Sequence, residues 1–556
     1  MENVIVLNSS AMRQKNNGNI QAAKAVADVI RTTLGPSAAL KMILDPMGGI
    51  VMTNDGNAIL REIDVSHPAA KLMLEISRSQ DDSAGDGTTA VIILAGEALA
   101  VSRRLLEVDH LHPTIVISGY YKALEEAVAH TKTLTKTIDT NDDDEIRTVI
   151  KSTVGTKFVK SWSDLVCNLA LKAVRTVAVT KEGQATPEID IKRYAKVEKI
   201  PGGAVEDCQV LNGVMINKDV VHAGMDRFKR DARVVLLDSS FEYKKAESTL
   251  EIDVSKGEDY TKFLKLEREW VQKQCSAILA VNPSVVITEK GLDDEAQEIF
   301  ARHGVSCIRR LRKTDLHRVA RVTGATVVHR MEDIKASDVG TASTFEIKKI
   351  GDEYFTFITQ DEDVPVQPKA CSILLRGASK DVLNEIERNL ADAMNVARNI
   401  IIDPRLLPGG GAYEMALATH LAKCSQKITG LEQKAYAALA SSFEVIPRTL
   451  AQNCGAEVIR VVTELRSMHN KPGMETWGVD GYTGKLQDMA AANIWDPMSV
   501  RLQCVKTAVE NATHLLRIDD VISGTTPSAG RGQRAAQEQA AGMDTQGMDV
   551  RGMNTL

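Results

Sequence analysis

Apolar periodicity changes twice along this chain, and that change restricts its architecture more than any other feature. Ile20, Ala23, Ala27, Ile30 and Leu34 recur at helical spacing, and Gly35-Pro36 then supplies a left-handed turn and a residue that cannot continue a helix. Ala69, Leu72, Met73 and Ile76 form a second stripe after His67-Pro68, and residues 88–106 are apolar enough for a buried helix. Past residue 380 the helical period returns, with Val382, Ile386, Leu390, Ala393, Ala397 and Ile400 on one face. Between these regions, β-branched runs at 234–237 and 285–288 alternate with helical stretches around 261–279 and 291–303, the pattern of an α/β unit. The two ends are alike in class and the middle differs. At 556 residues the chain exceeds the ~250–300 over which a single core grows, so several domains are expected, with Gly202-Gly203, Gly213 and Gly377 as candidate hinges beside the insert.

A net charge of -6 and 4% aromatic residues leave neither a basic groove nor a stacking platform, which argues against a nucleic-acid partner. The eight cysteines are scattered, with no C-x-x-C and no clustering with histidine, so neither a disulfide framework nor a structural zinc site is expected. Residues 1–10 lack a basic stretch followed by an apolar run, and Gly96-Glu97 interrupts the apolar 90–101 segment; no signal peptide or membrane span is expected, and a cytoplasmic location follows. Residues 524–556, rich in Gly, Ala, Gln and Met without an apolar period, read as a disordered tail.

Chemistry concentrates in Gly85-Asp86-Gly87-Thr88-Thr89, a glycine turn opening into an apolar helix. Glycines let backbone N–H groups approach an anion, the helix N-terminus adds partial positive charge, and a carboxylate such as Asp86 suits Mg²⁺ beside a phosphate. The turn lacks the lysine of a Walker A loop and the preceding strand of a dinucleotide fold. Thr33-Leu34-Gly35-Pro36, Asn54-Asp55-Gly56 and Gly409-Gly410-Gly411-Ala412 add three further turns able to converge on one nucleotide. Each taken singly is also compatible with an ordinary tight turn or a capped helix start.

The ordered set TLGP at 33–36, DPMGGIVMTNDGNAILREI at 45–63, GDGTT at 85–89, VEKIPGG at 197–203 and PGGGA at 408–412 resembles the group II chaperonins over nearly the whole chain. The resemblance implies a multidomain α plus α/β subunit. A mostly helical equatorial ATP-binding domain would comprise 1–140 and 402–523, a small intermediate hinge domain 141–212 and 370–401, and an α/β apical substrate-binding domain 213–369, with a helical lid protrusion near 243–266. It also implies ATP/ADP and Mg²⁺ as cofactors, paralogous subunits in a hetero-oligomeric double ring, and non-native polypeptides as clients.

By the same resemblance, Leu34, Gly35, Pro36, Gly87, Thr88, Thr89, Ala90, Thr153, Lys157, Gly410, Gly411, Gly481 and Asp496 would contact nucleotide. Asp86 would hold the metal, Asp55 would assist around metal and phosphate, and Asp392 would orient and activate water against the γ-phosphate. Gly411, Gly481 and Asp496 would lie at the nucleoside end, and Lys157 would sense the nucleotide from the intermediate domain. Ala90 departs from the family's frequent GDGTTS, removing one hydroxyl while Thr88 and Thr89 remain. Read without the resemblance, Asp392 is an exposed helix residue pairing with Arg388 one turn back, and Lys157 is a solvated lysine. The stripe Leu292, Ala296, Ile299 and Phe300 reads as core, with a polar flank that the resemblance turns toward clients. Residues 360–368 read as an acidic loop longer than the family's. Two other function classes remain open at this point: a small-molecule phosphotransferase, and a nucleotide-regulated scaffold without hydrolysis.

Overall fold

The computed structural model describes residues 9–44, 48–181, 183, 186–241, 257–361 and 367–518. The 524–556 tail, residues 243–256 of the expected lid segment and residues 362–366 of the acidic loop lie outside the described residues.

The first core is helical and draws on both ends of the chain. Ile30, Ile93 and Tyr120 from the beginning pack with Leu417, Leu439 and Val505 from the end. At its centre runs the helix Thr88–Glu107, in which Val91, Ile92 and Ile93 are consecutive and all buried, the mark of a helix covered on every side. Gly96 allows the helix Ser9–Arg31 to cross it closely, since a Cβ there would lie 2.5 Å from that of Ala27. Glu97 is paired with Arg31 and Arg448 at 3.4 and 3.3 Å, which keeps a carboxylate tolerable inside this core. The first helix ends at Arg31, four residues short of the expected glycine stop. Thr33 and Leu34 turn back onto Ile30 and Arg31 through i→i−3 bonds, so Leu34 lies past the helix and is released toward the cavity described below.

The second core is formed where the chain leaves and re-enters the first. Ile146, Val149, Val166, Ala170 and Val174 pack against Ile373, Leu375, Ile386, Leu390 and Ala397. A three-stranded sheet places Cys371–Gly377 between Ala195–Pro201 and Gln209–Leu211. The helix Lys380–Ile402 then starts at Ser379, whose hydroxyl accepts from Val382 N–H.

The middle of the chain forms a seven-stranded mixed sheet centred on Phe228–Leu237. Its alternation is legible residue by residue: Val234 and Leu236 enter one apolar cluster, Val235 and Leu237 the other, so both faces are covered. The helix Asp294–Arg302 covers one face through Ala296 and Phe300, and Phe300 meets Phe241 edge-on at 5.9 Å. The expected stripe is thus core. Of the candidate hinges, Gly202 and Gly203 are left-handed (φ +89° and +87°) and Gly202 N–H donates to Gly377 O at 2.8 Å. Gly213 is a strand residue whose Cβ would lie 2.1 Å from Ile358 O; close strand approach, not rotation, requires glycine there. Gln360, the first residue past the strand Glu353–Thr359, is tied into the sheet rather than free in the loop. It is buried, accepts from Ser343 N–H and Oγ–H, and donates to Val322 O, closing the end of the sheet.

Candidate functional site

A cavity of about 320 Å³ opens where the first and second cores meet, in the size range of small-molecule sites. Its polar wall begins with two helix starts of the same construction. The helix Pro68–Ala84 stops at Gly85 (φ +67°), and Gly87 (φ +80°) then caps the start of Thr88–Glu107 with no side-chain hydrogen bond. Gly411 (φ +77°) begins Ala412–Ser425 in the same way, directly after the strand Arg405–Pro408. The first-turn N–H groups of both helices lack a side-chain cap, and both starts line the cavity. Glycine is required at each start by backbone angle and by space: a Cβ on Gly87 would lie 2.6 Å from Cys504 Sγ, and one on Gly411 3.0 Å from Pro447. Leu34, Gly35 and Pro36 supply a third wall, and Gly481 closes against Pro36 while its carbonyl accepts from Ser37 Oγ at 2.6 Å.

The charged end is assembled from four segments. Asp86 lines the cavity and accepts from Gly87 N–H at 2.7 Å, and burial raises its pKa above the ordinary carboxylate value. Asp55 lies behind the lining. It caps the helix Gly56–Glu62 through Asn57 and Ala58 N–H and accepts from Thr88 Oγ at 3.1 Å, so it fixes the turn and the threonine together. Lys157, on the lining, pairs with Asp392 at 3.0 Å, their side chains only 15% and 18% exposed. The readings of Lys157 as solvated and of Asp392 as a partner of Arg388 are therefore corrected: Arg388 turns to Glu385 at 3.3 Å instead. Burial, with the carboxylates of Asp55 and Asp86, pushes Asp392 up to about 8 against the downward pull of Lys157. Lys157 itself is held protonated, because Asp392, Asp55 and Asp86 together outweigh its own desolvation.

Of the residues expected to contact nucleotide or metal, all line this one cavity: Leu34, Gly35, Pro36, Asp86, Gly87, Thr88, Thr89, Ala90, Thr153, Lys157, Gly410, Gly411, Gly481 and Asp496. Asp55 and Asp392 stand one contact behind it. Sequence reasoning missed Arg501, which lines the cavity, grips Asp496 at 2.6 Å and reaches buried Glu414 at 3.3 Å. No local signal marks an arginine on the Met498–Arg517 helix as a site residue. Asn54, expected only as part of the Asn54-Asp55-Gly56 turn, has a contact of its own: its Nδ2 donates to Thr156 O at 3.2 Å across the two cores. Tyr482 lines the cavity, donating to Gly155 O at 3.0 Å with Lys160 Nζ 4.0 Å from its ring centroid.

The donor set fits a phosphate-bearing ligand with a hard divalent cation. Asn54 Oδ1 and Thr153 Oγ are buried beside the cavity without a hydrogen-bond partner among the described residues, an arrangement costly unless a ligand completes it. Uncapped N–H groups and Lys157 suit anionic oxygens, and the Asp86 carboxylate suits Mg²⁺.

Two glycine-started helices facing one cavity, with Lys157 on its wall and Asp392 paired behind it, suit a phosphate-bearing ligand. The sequence matches the TCP-1/cpn60 chaperonin family over residues 26–526, and the chain belongs to that family. Among individual proteins it is similar to T-complex protein 1 subunit gamma: 56% identical over 526 residues to that of Bos taurus, covering 94% of this chain and 95% of the other. The protein of the same name from Oxytricha granulifera is 56% identical over 542 residues, 96% of each chain, and that of Homo sapiens is 55% identical over 526, 94% of this chain and 95% of the other. Among the described residues, no helix is long and apolar enough to cross a membrane.

Proposed function

We propose that this chain is an ATP-hydrolysing subunit of a cytosolic, hetero-oligomeric double-ring chaperonin that encloses non-native polypeptides and releases them through a closure cycle. The convergence of the separated glycine turns and the Lys157–Asp392 pair on one cavity carries this reading. The first core serves as the equatorial nucleotide-binding domain, the second as the intermediate hinge, and the seven-stranded sheet as the core of the apical domain, whose polar surfaces meet clients.

The first-turn N–H groups of the helix that begins after Gly87 bind phosphate oxygens, Thr88 and Thr89 fix that turn against them, and Gly411, Gly481 and Asp496 lie at the nucleoside end, with Pro36 packed against Gly481. Held by Asp86, Mg²⁺ supplies charge neutralisation to the phosphates when bound. Hydrolysis forms a bond from water oxygen to the γ-phosphorus and breaks the bond to the bridging oxygen, whose electron pair leaves with ADP. Asp392 orients the water and takes its proton, a task for which a pKa near the working pH suits it better than an ordinary carboxylate. Lys157 holds Asp392 in place and offers its charge to the terminal phosphate. Because both residues belong to the second core, chemistry requires that core to close on the first.

In a complex whose other subunits carry inactivated sites, Asp392→Ala is expected to leave nucleotide affinity near the parent and to slow turnover by about 10²-fold or more. Undiminished hydrolysis at this subunit overturns the assignment.

A further inference from the structure

The sequence reading found no cysteine grouped with histidine, and the fold corrects it. His420 and Cys424 lie one turn apart on the helix Ala412–Ser425 and share a face, and Glu126 reaches them from the helix Pro113–Thr131. His420 Nε2 is 3.0 Å from Glu126 Oε1, Cys424 Sγ is 3.5 Å from that nitrogen, and Cys424 Sγ is 3.9 Å from that oxygen. We propose that Glu126, His420 and Cys424 form a binding site for a borderline-soft divalent cation of the zinc class, separate from the nucleotide cavity.

Three observations support it. The first is metric. Bonds of about 2.0–2.1 Å to nitrogen or oxygen and about 2.3 Å to sulfur give a tetrahedral centre with ligand–ligand edges of roughly 3.3–3.6 Å, and all three separations lie within half an ångström of that range. The second is chemical. One thiol, one imidazole and one carboxylate select zinc-like ions over Mg²⁺ and Ca²⁺, which take oxygen alone. The third is support around the ligands. The His130 ring stacks on His420 at 3.8 Å and 4° between planes, and Thr131 Oγ meets Tyr413 OH at 2.9 Å between the same two helices, so the ligand-bearing elements are already registered. All three ligands are partly exposed, which leaves a path for entry and a fourth position for water.

Binding replaces protons. The thiol releases its proton to solvent, and a proton on Nε2 facing Glu126 passes through solvent to Nδ1, so that neutral imidazole binds through Nε2. The bound ion would then clamp helices whose ligands are 294 residues apart in sequence, joining the two halves of the first core.

The probe is Co²⁺, titrated into the reduced, metal-stripped full-length chain. The expected result is a thiolate-to-cobalt charge-transfer band saturating at one equivalent and displaced by Zn²⁺. Cys424→Ser should abolish the band, and His420→Ala and Glu126→Gln should weaken binding by roughly tenfold to 100-fold or more, the loss seen when even a supporting partner is removed. Cys454→Ala, which removes the other partly exposed thiol, should leave the band intact. Unaltered circular dichroism and nucleotide affinity establish that each variant folds. No band in the parent, or a band that survives Cys424→Ser, overturns the proposal.

Discussion

Asp392 and Lys157 show how little a residue's chemistry is its own. In solution one is a weak base and the other a plain cation; here burial and two neighbouring carboxylates raise Asp392 to about 8 while Lys157 holds it down from going higher. The sign of that coupling is testable. In the proposed mechanism an ionised Asp392 is the active form, so turnover is expected to fall as pH drops through its pKa. Lys157→Ala removes the group that lowers this pKa, and the acid limb of the kcat profile should move to higher pH, with neutral-pH turnover down about tenfold or more. A limb that moves to lower pH, or stays put, contradicts the pairing. Gly87 is constrained twice, by its angle and by Cys504. Gly87→Ala should cost about 1–2 kcal/mol for the left-handed backbone plus about 1–3 kcal/mol for overpacking. Adding Cys504→Ala should restore only the second part, read as thermal midpoint and nucleotide affinity of the single and double variants.

At the scale of elements, one side of the cavity is lined by a turn that no periodicity announces. Tyr482 reaches from the turn after Trp477–Val479 to the carbonyl of Gly155, just past the helix Asp143–Val154, with Lys160 against its ring. Tyr482→Phe deletes the hydrogen bond alone, a net loss of about 0.5–1.5 kcal/mol, and ADP release should quicken a few-fold; Tyr482→Ala removes the ring contact too and should quicken it further. Stopped-flow release of a fluorescent nucleotide measures both, and equal rates in parent and variants would refute the clasp. The helices bearing the cavity were legible because their signals are local: a stripe at 3.6-residue spacing, and glycines where φ must be positive. The early end of the first helix was not, because Thr33 and Leu34 form i→i−3 bonds that hydrophobic spacing does not reveal.

For the whole molecule, the decisive contact is the docking of the helix Lys380–Ile402 onto the first core. Asn399 Nδ2 donates to Ala84 O at 2.8 Å, Arg398 to Ser83 O at 3.4 Å and Asn395 to Gly85 O at 3.5 Å. These are carbonyls at the end of Pro68–Ala84, which the helix itself leaves unpaired. In the proposed closure cycle, Asn399→Ala should weaken the docked arrangement by about 1 kcal/mol, roughly a fivefold shift toward an undocked form. Protease resistance of the complex with a hydrolysis transition-state mimic bound should fall accordingly; unchanged resistance would exclude this latch. The amino-acid order by itself determined the alternation of helical and α/β regions and the positions of the glycine turns, since these depend on neighbours within a few residues. Only the tertiary structure decided that Lys157 meets Asp392, that Arg501 holds Asp496, and that Glu126 joins His420 and Cys424. The first and last of these pairings cross hundreds of residues, and the Arg501–Asp496 pair, though near in sequence, is aimed into the cavity by a buried Glu414 from another helix. A polar side chain's partner is set by which surfaces pack together, and the packing surfaces are apolar stripes that carry no label for the charges at their edges.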